Sequence, residues 1–440
     1  MRDTTDRIGR HVEKSVEEEL EDRVIGFDEA VDPLQILENG EVVESADVGN
    51  TLDQTLSLVN ETEKTVLGIT GLAGQLAVGR EIELDTFEGW TVIRNEWVVV
   101  VPSSQAGEVE ALDVDIVERS TLTSSNETLF IISLTAKSAT AEAIEGELSS
   151  LGAEPYDRNH VFRVAAPQTD ADEASPAFSA PETVSPARTK ASRIGLIDTD
   201  VDETHPVFGD VVLHEADFVS LGRLRPQTHG TATASILAHQ KTVEGAKVER
   251  EILAASAFFL AGDGTTGASS ASIIRAIDWL QASGANVINI SLTGPPNRAL
   301  EAVIRNSMSN GTIFVAAVGN EGPASGPLYP AAYQGVIGVT AVDKDGQVYR
   351  WANRGRMVDV GAIGVDVSVA RPGGGEQLDS GTSFAAPVVS AFLAGWTGGQ
   401  QIHNGAGESM IRASTGAESP DARDDTLGYG ILIPDTIDGN

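Results

Sequence analysis

The stretch NVINISLTGPPNRALEAVIRNSMSNGTIFVAAVGN (286–320) decides the fold class of this chain. It begins with a short, largely apolar run, NVINISL (286–292), continues through a helical segment (297–309) and ends with a second apolar run, TIFVAAVGN (312–320). Apolar strands separated by helices are typical of a parallel sheet with both faces covered. The stretch therefore predicts one strand–helix–strand unit of an α/β fold.

The same alternation continues on both sides of this stretch. Further apolar strands are predicted at IGLID (194–198), ILAASAFF (252–259) and VIGVTAV (336–342), with helices from about 229 and over 268–283. Residues 191–440 are thus expected to form a parallel sheet with helices on both faces. In such sheets, ligands bind beyond the carboxyl ends of the strands, so candidate functional residues are sought there.

Residues 94–165 follow a different plan. The predicted strands are WVVVV (97–101), VDIVE (114–118), LFIISL (129–134) and HVFRV (160–164). One helix is predicted at about 104–112, and a second carries Ile144, Leu148 and Leu151 on one face. The order β-α-β-β-α-β predicts an α+β domain of the ferredoxin-like kind.

Two segments lack such patterning. Residues 166–190 are rich in Pro, Ala and Ser and are interpreted as an exposed linker. Residues 1–93 form an acidic region that is partly helical, because apolar residues recur every four positions from Ile8 to Val24. The sequence assigns no function to this acidic region.

Composition excludes several classes of protein. The formal net charge is -35, with -24 in residues 1–190 and -11 in residues 191–440, so nucleic acid is not expected as a partner. The absence of cysteine excludes disulfides, thiolate metal sites and a cysteine nucleophile. No stretch is long and apolar enough for a membrane span, and no signal peptide opens the sequence.

Four polar residues lie where predicted strands end or helices begin: Asp198, His229, Asn320 and Ser383. Each has a structural interpretation when taken alone, since Asp and Asn favour turns and Ser favours helix N-caps. Together they offer a nucleophile, a base, an orienting carboxylate and an oxyanion donor. An α/β-hydrolase order is excluded for Ser383, because no acidic residue separates it from His403, the only later histidine.

Five motifs in register over about residues 193–397 resemble the subtilisin-like serine peptidases, or subtilases. The motifs are LIDTDVDETHP, THGTATASILA, NVINISLTG, FVAAVGNEGP and SGTSFAAPVVSAFLA. The resemblance implies Ser383 as nucleophile, His229 as general base and then acid, and Asp198 as its orienting carboxylate. It also implies an oxyanion hole formed by Asn320 and the backbone N–H of Ser383.

The resemblance further implies a serine endopeptidase that is made as a self-inhibited zymogen. Residues 94–165 correspond to the inhibitory propeptide, and processing is expected within 165–190. Peptide substrates are expected to bind as an added strand between SLTG and AGDGTTG, near a specificity pocket. The expected substrate-binding residues are Ser291, Leu292, Thr293, Gly294, Gly264, Ala316 and Gly319. A secreted or periplasmic location is implied as well, and calcium binding is common in the family, although no ligand set can be assigned.

This sequence departs from the subtilase pattern at Asp200, where the family has glycine, and at Ala232 and Val388, where it commonly has histidine. None of these changes removes a group that the mechanism needs, but Asp200 adds a carboxylate two residues from Asp198.

One alternative function is that of a catalytically silent subtilase-like binding module, which would take up no fluorophosphonate label. A sedolisin-like acid peptidase is excluded, because it requires glutamate at the position of His229.

Overall fold

The computed structural model describes residues 82–432 except for 134–139, 151–152, 154, 165–177, 180–191, 220–224, 240–249, 262–263 and 398–404. All the described residues belong to one compact unit, Thr65–Asn440. The predicted helical segment between Ile8 and Val24 lies outside them, as does nearly all of the predicted linker. Among the described helices, none combines the length and apolar character that a bilayer crossing requires.

The N-terminal module, defined here as residues 84–164, is an antiparallel sheet with two helices on one face. Its elements are β1 (Leu84–Phe87), β2 (Trp90–Pro102), α1 (Ala106–Glu110), β3 (Asp115–Leu122), β4 (Glu127–Ser133), α2 (Ala141–Ser150) and β5 (Tyr156–Val164). The strand order β5-β2-β4-β3 is antiparallel throughout. This is the ferredoxin-like arrangement, so the predicted α+β plan is confirmed.

The alternation of side chains along β2 explains how this module packs on both faces. Trp97, Val99 and Val101 point toward the helices and pack with Ile144. Val98 and Val100 lie on the opposite face, in the core that is shared with the C-terminal domain. The module also extends further toward the N terminus than the predicted start at residue 94, because β1 pairs with the first residues of β2.

The C-terminal domain, defined here as residues 192–432, carries the parallel sheet. The strands are β6 (Phe178–Ser179), which precedes this domain in the chain, and then β7 (Ser192–Asp198), β8 (Val212–Asp217), β9 (Arg250–Ser256), β10 (Phe258–Leu260), β11 (Thr266–Ser269), β12 (Val287–Ile290), β13 (Leu292–Thr293), β14 (Ile313–Ala317), β15 (Ile337–Val342), β16 (Val360–Ile363), β17 (Val367–Ala370) and β18 (Glu376–Asp379). β6 pairs with β17, which also pairs with β18. The helices are α3 (Thr228–Ala238), α4 (Ser270–Ala282), α5 (Arg298–Ser309), α6 (Thr382–Thr397) and α7 (Ala406–Thr415).

Seven of these strands form one parallel sheet in the order β16-β15-β14-β12-β7-β9-β8. Alternate residues of each strand face opposite sides, as β14 illustrates. Ile313 and Val315 pack into the core with α3 and α6, whereas Phe314 and Ala316 pack into the core with α4 and α5. The predicted parallel sheet with helices on both faces is therefore confirmed.

The predicted strand 252–259 is wrong in one respect, because it is two strands. β9 ends at Ser256 in the parallel sheet, and β10 then pairs antiparallel with β11 outside that sheet. The helix predicted to begin at 268 begins at Ser270 for the same reason, since Ala268 and Ser269 are still paired as a strand with β5. A strand partner that is distant in the sequence overrides the local apolar pattern.

Candidate active site

The four predicted catalytic residues lie at the carboxyl edge of the parallel sheet. Asp198 is the last residue of β7, and Asn320 follows β14 by three residues. His229 and Ser383 are each the second residue of a helix, α3 and α6 respectively. Both helices pack on the same face of the sheet, so their N-terminal ends meet beside the end of β7.

Asp198 and His229 form a hydrogen-bonded pair. His229 Nδ1 lies 2.7 Å from Asp198 Oδ1 and 2.9 Å from Oδ2. The carboxylate, which is 1% exposed, also accepts hydrogen bonds from the Thr199 N–H (2.7 Å) and the Thr233 hydroxyl (3.0 Å). These donors hold the carboxylate in one orientation, which in turn orients the imidazole ring.

The surroundings of His229 shift its pKa upward. Burial alone would lower the pKa of the imidazole, but the charge of Asp198 and its hydrogen bond outweigh burial, and the charge of Asp379 adds to them. The pKa of His229 is consequently raised above its ordinary value. An imidazolium at this position is stabilised, as a general base requires once it has accepted a proton.

Ser383, the second residue of α6, is fully buried. The ring of Phe384, the next residue, packs 5.7 Å from the His229 ring between centroids. His229 Nε2 makes no hydrogen bond to any residue that the structure describes. The second ring nitrogen therefore keeps its capacity to accept a proton from a hydroxyl.

A proline within α6 contributes to this geometry. Pro387 has no N–H, so it cannot bond the carbonyl of Ser383 four residues earlier. That carbonyl instead accepts a hydrogen bond from the Ser291 hydroxyl at 2.9 Å. The Ser383 hydroxyl in turn donates to the Ser291 carbonyl at 3.4 Å, so the end of β12 is joined directly to the start of α6.

The side chain of Asn320 is oriented by Thr382. Its Oδ1 accepts from both the N–H and the hydroxyl of Thr382, each at 3.0 Å. With Oδ1 held in this way, Nδ2 is the end of the amide that donates. Asn320 borders a cavity of about 450 Å³, and an amide donor at the edge of a cavity next to a serine is a geometry that suits an oxyanion.

The last strand of the N-terminal module, β5, lies between two strands of the C-terminal domain. Val164 pairs with Leu292 and Arg163 with Thr293 on one side, while Phe162 and Val161 pair with β11 on the other. Both pairings are antiparallel. An extended segment of this chain thus already occupies the position in which an added strand was predicted.

Of the other predicted substrate-binding residues, Gly294 contacts β5, and the remaining three lie elsewhere around the site. A Cβ on Gly294 would meet the ring of Phe162 at 2.4 Å, so the absence of a side chain allows β5 to approach. Gly319 adopts a φ of 106° beside Leu328, which lines the cavity. Ala316 is buried within β14, and Gly264 lies in the turn between β10 and β11, outside the paired residues.

Sequence reasoning missed three residues that contact or face the predicted catalytic groups: Thr233, Thr382 and Asp379. Thr233 follows His229 by four residues and so lies on the same side of α3. The sequence spacing could have indicated this contact. Thr382 is adjacent to Ser383. Asp379 carries no local signal, because its effect on His229 depends on how β18 packs.

Metal binding finds no support in the residues that the structure describes. They contain no group of three or more His, Asp or Glu side chains that could hold an ion. Calcium, which the family resemblance suggested, is accordingly assigned no ligands.

Comparison with known proteins finds a family match in the part of the chain that carries this site. The model of the subtilase family (peptidase S8) matches residues 189–430, more than half of the chain. A thermophilic serine proteinase from Bacillus sp. (strain AK1) is 36% identical over 213 residues, which is 47% of this chain and 52% of that protein. Subtilisin E from Bacillus subtilis (strain 168) is 33% identical over 46% of this chain and 54% of its own length. The chain thus spans about half the length of these curated relatives.

Two further matches extend over a larger share of this chain and of the matched protein. Thermitase from Thermoactinomyces vulgaris is 32% identical over 245 residues, 54% of this chain and 84% of thermitase. Among solved structures, fervidolysin from Fervidobacterium pennivorans superposes with a TM-score of 0.60 at 18% identity, covering 81% of this chain and 62% of fervidolysin. At this low identity, the match to fervidolysin shows only that the two folds are similar.

Proposed function

The chain belongs to the subtilase family, and we propose that it is a serine endopeptidase in which Asp198, His229 and Ser383 form the catalytic triad. The observation that carries this proposal is the hydrogen bond between His229 Nδ1 and the buried Asp198 carboxylate, with the same ring packed against Phe384 at the start of α6. A hydroxyl is a weak nucleophile unless a base takes its proton, and this arrangement supplies the base.

The proposed reaction proceeds in two acyl-transfer steps. Ser383 Oγ attacks the carbonyl carbon of the scissile peptide bond, and its proton passes to His229 Nε2. Asp198 stabilises the imidazolium, while Asn320 Nδ2 and the Ser383 N–H donate to the oxyanion. His229 then protonates the leaving amine, and water releases the acyl group by the same steps with His229 as base.

Digestion of a peptide library by the wild-type chain and by Ser383→Ala tests this proposal. The wild type is expected to generate new peptide termini, which mass spectrometry identifies, and Ser383→Ala to lose at least about 10³-fold in rate. Equal cleavage by both proteins would refute the assignment of Ser383. No cleavage by either protein, with no fluorophosphonate uptake, would favour a silent binding module.

We further propose that the N-terminal module is an inhibitory propeptide and that the chain is a self-inhibited zymogen. The support is β5, which occupies the place of a substrate strand between β11 and β13. The full burial of Ser383 with the module docked is consistent with a blocked site. By resemblance to secreted relatives, the proposed place of action is outside the cytoplasm.

The register of β5 selects one bond for the first cut. Val164, the last residue of β5, pairs with Leu292 in an antiparallel ladder, and Ser291 directly precedes Leu292 in the chain. The Ser291 carbonyl accepts a hydrogen bond from Ser383. We therefore propose that the peptide bond between Ala165 and Ala166 is presented to Ser383.

A time course of intact mass on the purified full-length chain tests this bond. The first new species is expected to begin at Ala166, at a rate that does not depend on protein concentration, and Ser383→Ala is expected to remain uncut. A first cut elsewhere in residues 166–190 would refute the register argument. It would leave the triad assignment standing, provided that Ser383→Ala still blocks the cut.

A further inference from the structure

Asn353, in the loop between β15 and β16, is a fully buried asparagine that lies outside the catalytic motifs. Burial of an amide side chain costs free energy unless its polar atoms are paired. The hydrogen bonds of Asn353 therefore show which part of the molecule this side chain stabilises.

Asn353 bonds the residues on both sides of Asn320. Its backbone N–H donates to the Gly319 carbonyl at 3.0 Å, and its Oδ1 accepts from the Glu321 N–H at 2.8 Å. Its Nδ2 donates to the Gly326 carbonyl, further along the same loop, at 3.4 Å. The Gly319 carbonyl and the Glu321 N–H belong to the two peptide groups that flank the Cα of Asn320, so one residue holds both of them.

The backbone around Asn320 depends on such contacts from elsewhere in the chain. Gly319 has a φ of 106°, and glycine restricts the backbone less than any other residue does. Residues 321–327 contain neither a helix nor a strand. Hydrogen bonds from the loop of Asn353 consequently determine the direction in which the Asn320 side chain leaves the backbone.

The far end of the Asn320 side chain is held by different groups. Thr382 donates to Oδ1 twice, which sets the rotation of the amide. A Cβ on Gly381 would lie 2.8 Å from Nδ2, so the amide fits closely against the start of α6. An oxyanion donor must lie within about 2.7–3.1 Å of the developing charge, and this requires a fixed Cα as well as a fixed amide.

Asn353 lies behind the wall of the cavity that Asn320 borders. Asn320, Glu321 and Leu328 line this cavity, and Asn353 is not among the described residues that do so. The strands that pair with β5 in the place of a substrate strand are β11 and β13. Asn353 therefore acts on the position of Asn320 and not on the pairing that would bind a substrate.

We propose that Asn353 is a positioning residue for the oxyanion hole. It fixes the two peptide groups that flank Asn320 and so places Asn320 Nδ2 at the point where negative charge develops. The proposal rests on the proposed hydrolytic function and names a further residue that acts on the same site. Because the oxyanion forms only on the way to the transition state, loss of Asn353 should lower kcat and leave KM unchanged.

The first test measures kcat and KM of the processed Asn353→Ala variant on a peptide substrate. The backbone N–H of residue 353 remains, so the variant removes the side-chain bonds alone. A donor displaced by about 1 Å costs up to about 100-fold in rate, so kcat is expected to fall by about 10- to 100-fold at constant KM. Each kcat is divided by the number of active sites counted with a fluorophosphonate, which removes any unfolded fraction from the comparison.

Arg354→Ala is the matched control for this measurement. Arg354 is the next residue of the same loop, but its side chain is exposed. The control should keep the kcat and the KM of the wild type.

A double-mutant cycle tests whether Asn353 acts through Asn320. Asn320→Ala alone is expected to cost about 10²- to 10³-fold in kcat. Adding Asn353→Ala to it should cost little more, because no amide remains to be positioned. The rate of the first cut in the full-length chain provides the same cycle without a binding step, since β5 is already docked.

Asn353→Asp separates positioning from a role in stability alone. Aspartate has the shape of asparagine and keeps an oxygen that accepts from the Glu321 N–H, but it adds a charge at a fully buried position. Positioning predicts that aspartate retains more of kcat than alanine does. A role in stability alone predicts a lower melting temperature, measured in a Ser383→Ala background, with no loss of kcat per active site. If Asn353→Ala fails to fold, Asn353→Asp takes its place in the cycle.

Three results would overturn the role of Asn353 while the wild type stays active and the proposed function survives. They are an unchanged kcat in Asn353→Ala, a raised KM without a loss of kcat, and equal losses with and without the Asn320 side chain. A wild type with neither cleavage nor fluorophosphonate labelling would instead remove the proposed function and, with it, the role of Asn353 in hydrolysis.

Discussion

Two acidic residues act on the imidazole of His229 in different ways. Asp198 bonds it directly, whereas Asp379 acts through its charge from a half-buried position on β18, four residues before Ser383. Burial raises the pKa of Asp379, and the Ser380 N–H and the charge of His229 oppose that rise. The state of this second carboxylate therefore affects the pH at which His229 becomes a base.

Replacement of Asp379 by asparagine tests this effect. Removing the charge should lower the pKa of His229, so that more of the imidazole is neutral at a given acidic pH and the acid limb of the kcat profile moves to lower pH. Glu376→Gln is the control, since Glu376 lies on the same strand and bonds Ser368 at the surface. An acid limb that stays in place, or moves upward, would contradict the prediction.

At this scale the sequence was informative about chemical groups that sit within motifs. Asp198, His229, Asn320 and Ser383 were predicted from motif order, and their roles stay predictions until activity is measured. Asp379 could not be predicted in the same way. Its influence on His229 depends on β18 being packed beside the motif residues, which no local pattern records.

Among the elements, β5 carries the proposed inhibition, because it is paired on both sides by the C-terminal domain. The ring of Phe162 occupies the space above Gly294, where a Cβ would come within 2.4 Å of it. Phe162 is fully buried. The contact between Phe162 and Gly294 should therefore determine how closely β5 pairs with β11 and β13.

Gly294→Ala is expected to slow the first cut of the full-length chain, because the added methyl group displaces Phe162 and the strand that bears it. The double variant Gly294→Ala with Phe162→Ala should be cut faster than Gly294→Ala alone, since the smaller side chain leaves room for the methyl group. Intact mass over time measures both rates. If the second substitution gave no recovery, the clash would not be the cause.

The pattern of elements was largely predictable, since buried parallel strands are apolar along their whole length. The α/β fold class and the ferredoxin-like order are confirmed. The exceptions are β1, β10 and β11, which are short. β1 and β10 pair with the strands that follow them in the chain, whereas β11 also pairs with β5, far earlier in the sequence. Their residues, such as Thr266–Ser269 in β11, show no two-residue alternation, so only the folded chain reveals them as strands.

Across the whole molecule, the N-terminal module docks on the N-terminal ends of α4 and α5 and on the side of α4. Asp157 accepts the Arg298 N–H at 2.8 Å, and Asn159 accepts the Ala271 N–H at 3.3 Å. Asp278 on α4 accepts from the N–H groups of Thr123 (3.0 Å) and Ser124 (2.7 Å), and from both of their hydroxyls. Polar groups of both partners are thereby paired across the interface.

Asp278→Ala should loosen the module without unfolding the C-terminal domain. Four hydrogen bonds to one carboxylate are lost, and bonds to charged groups contribute about 1.5 to 3 kcal/mol each before water replaces them at the exposed edge. In a Ser383→Ala background, hydrogen exchange of amides in β3 and β4 should accelerate, while exchange in β12 and β14 stays slow. Asp345→Ala, at an exposed turn, serves as the control and should change neither.

The central claim is that the His229 imidazole activates the Ser383 hydroxyl. Labelling with a fluorophosphonate, mapped by mass spectrometry on the processed protein, tests it most directly. The account predicts one adduct, on Ser383, and a loss of at least about 100-fold in labelling rate for His229→Ala. An unlabelled wild type, an adduct on another serine, or equal labelling of the two proteins would contradict it.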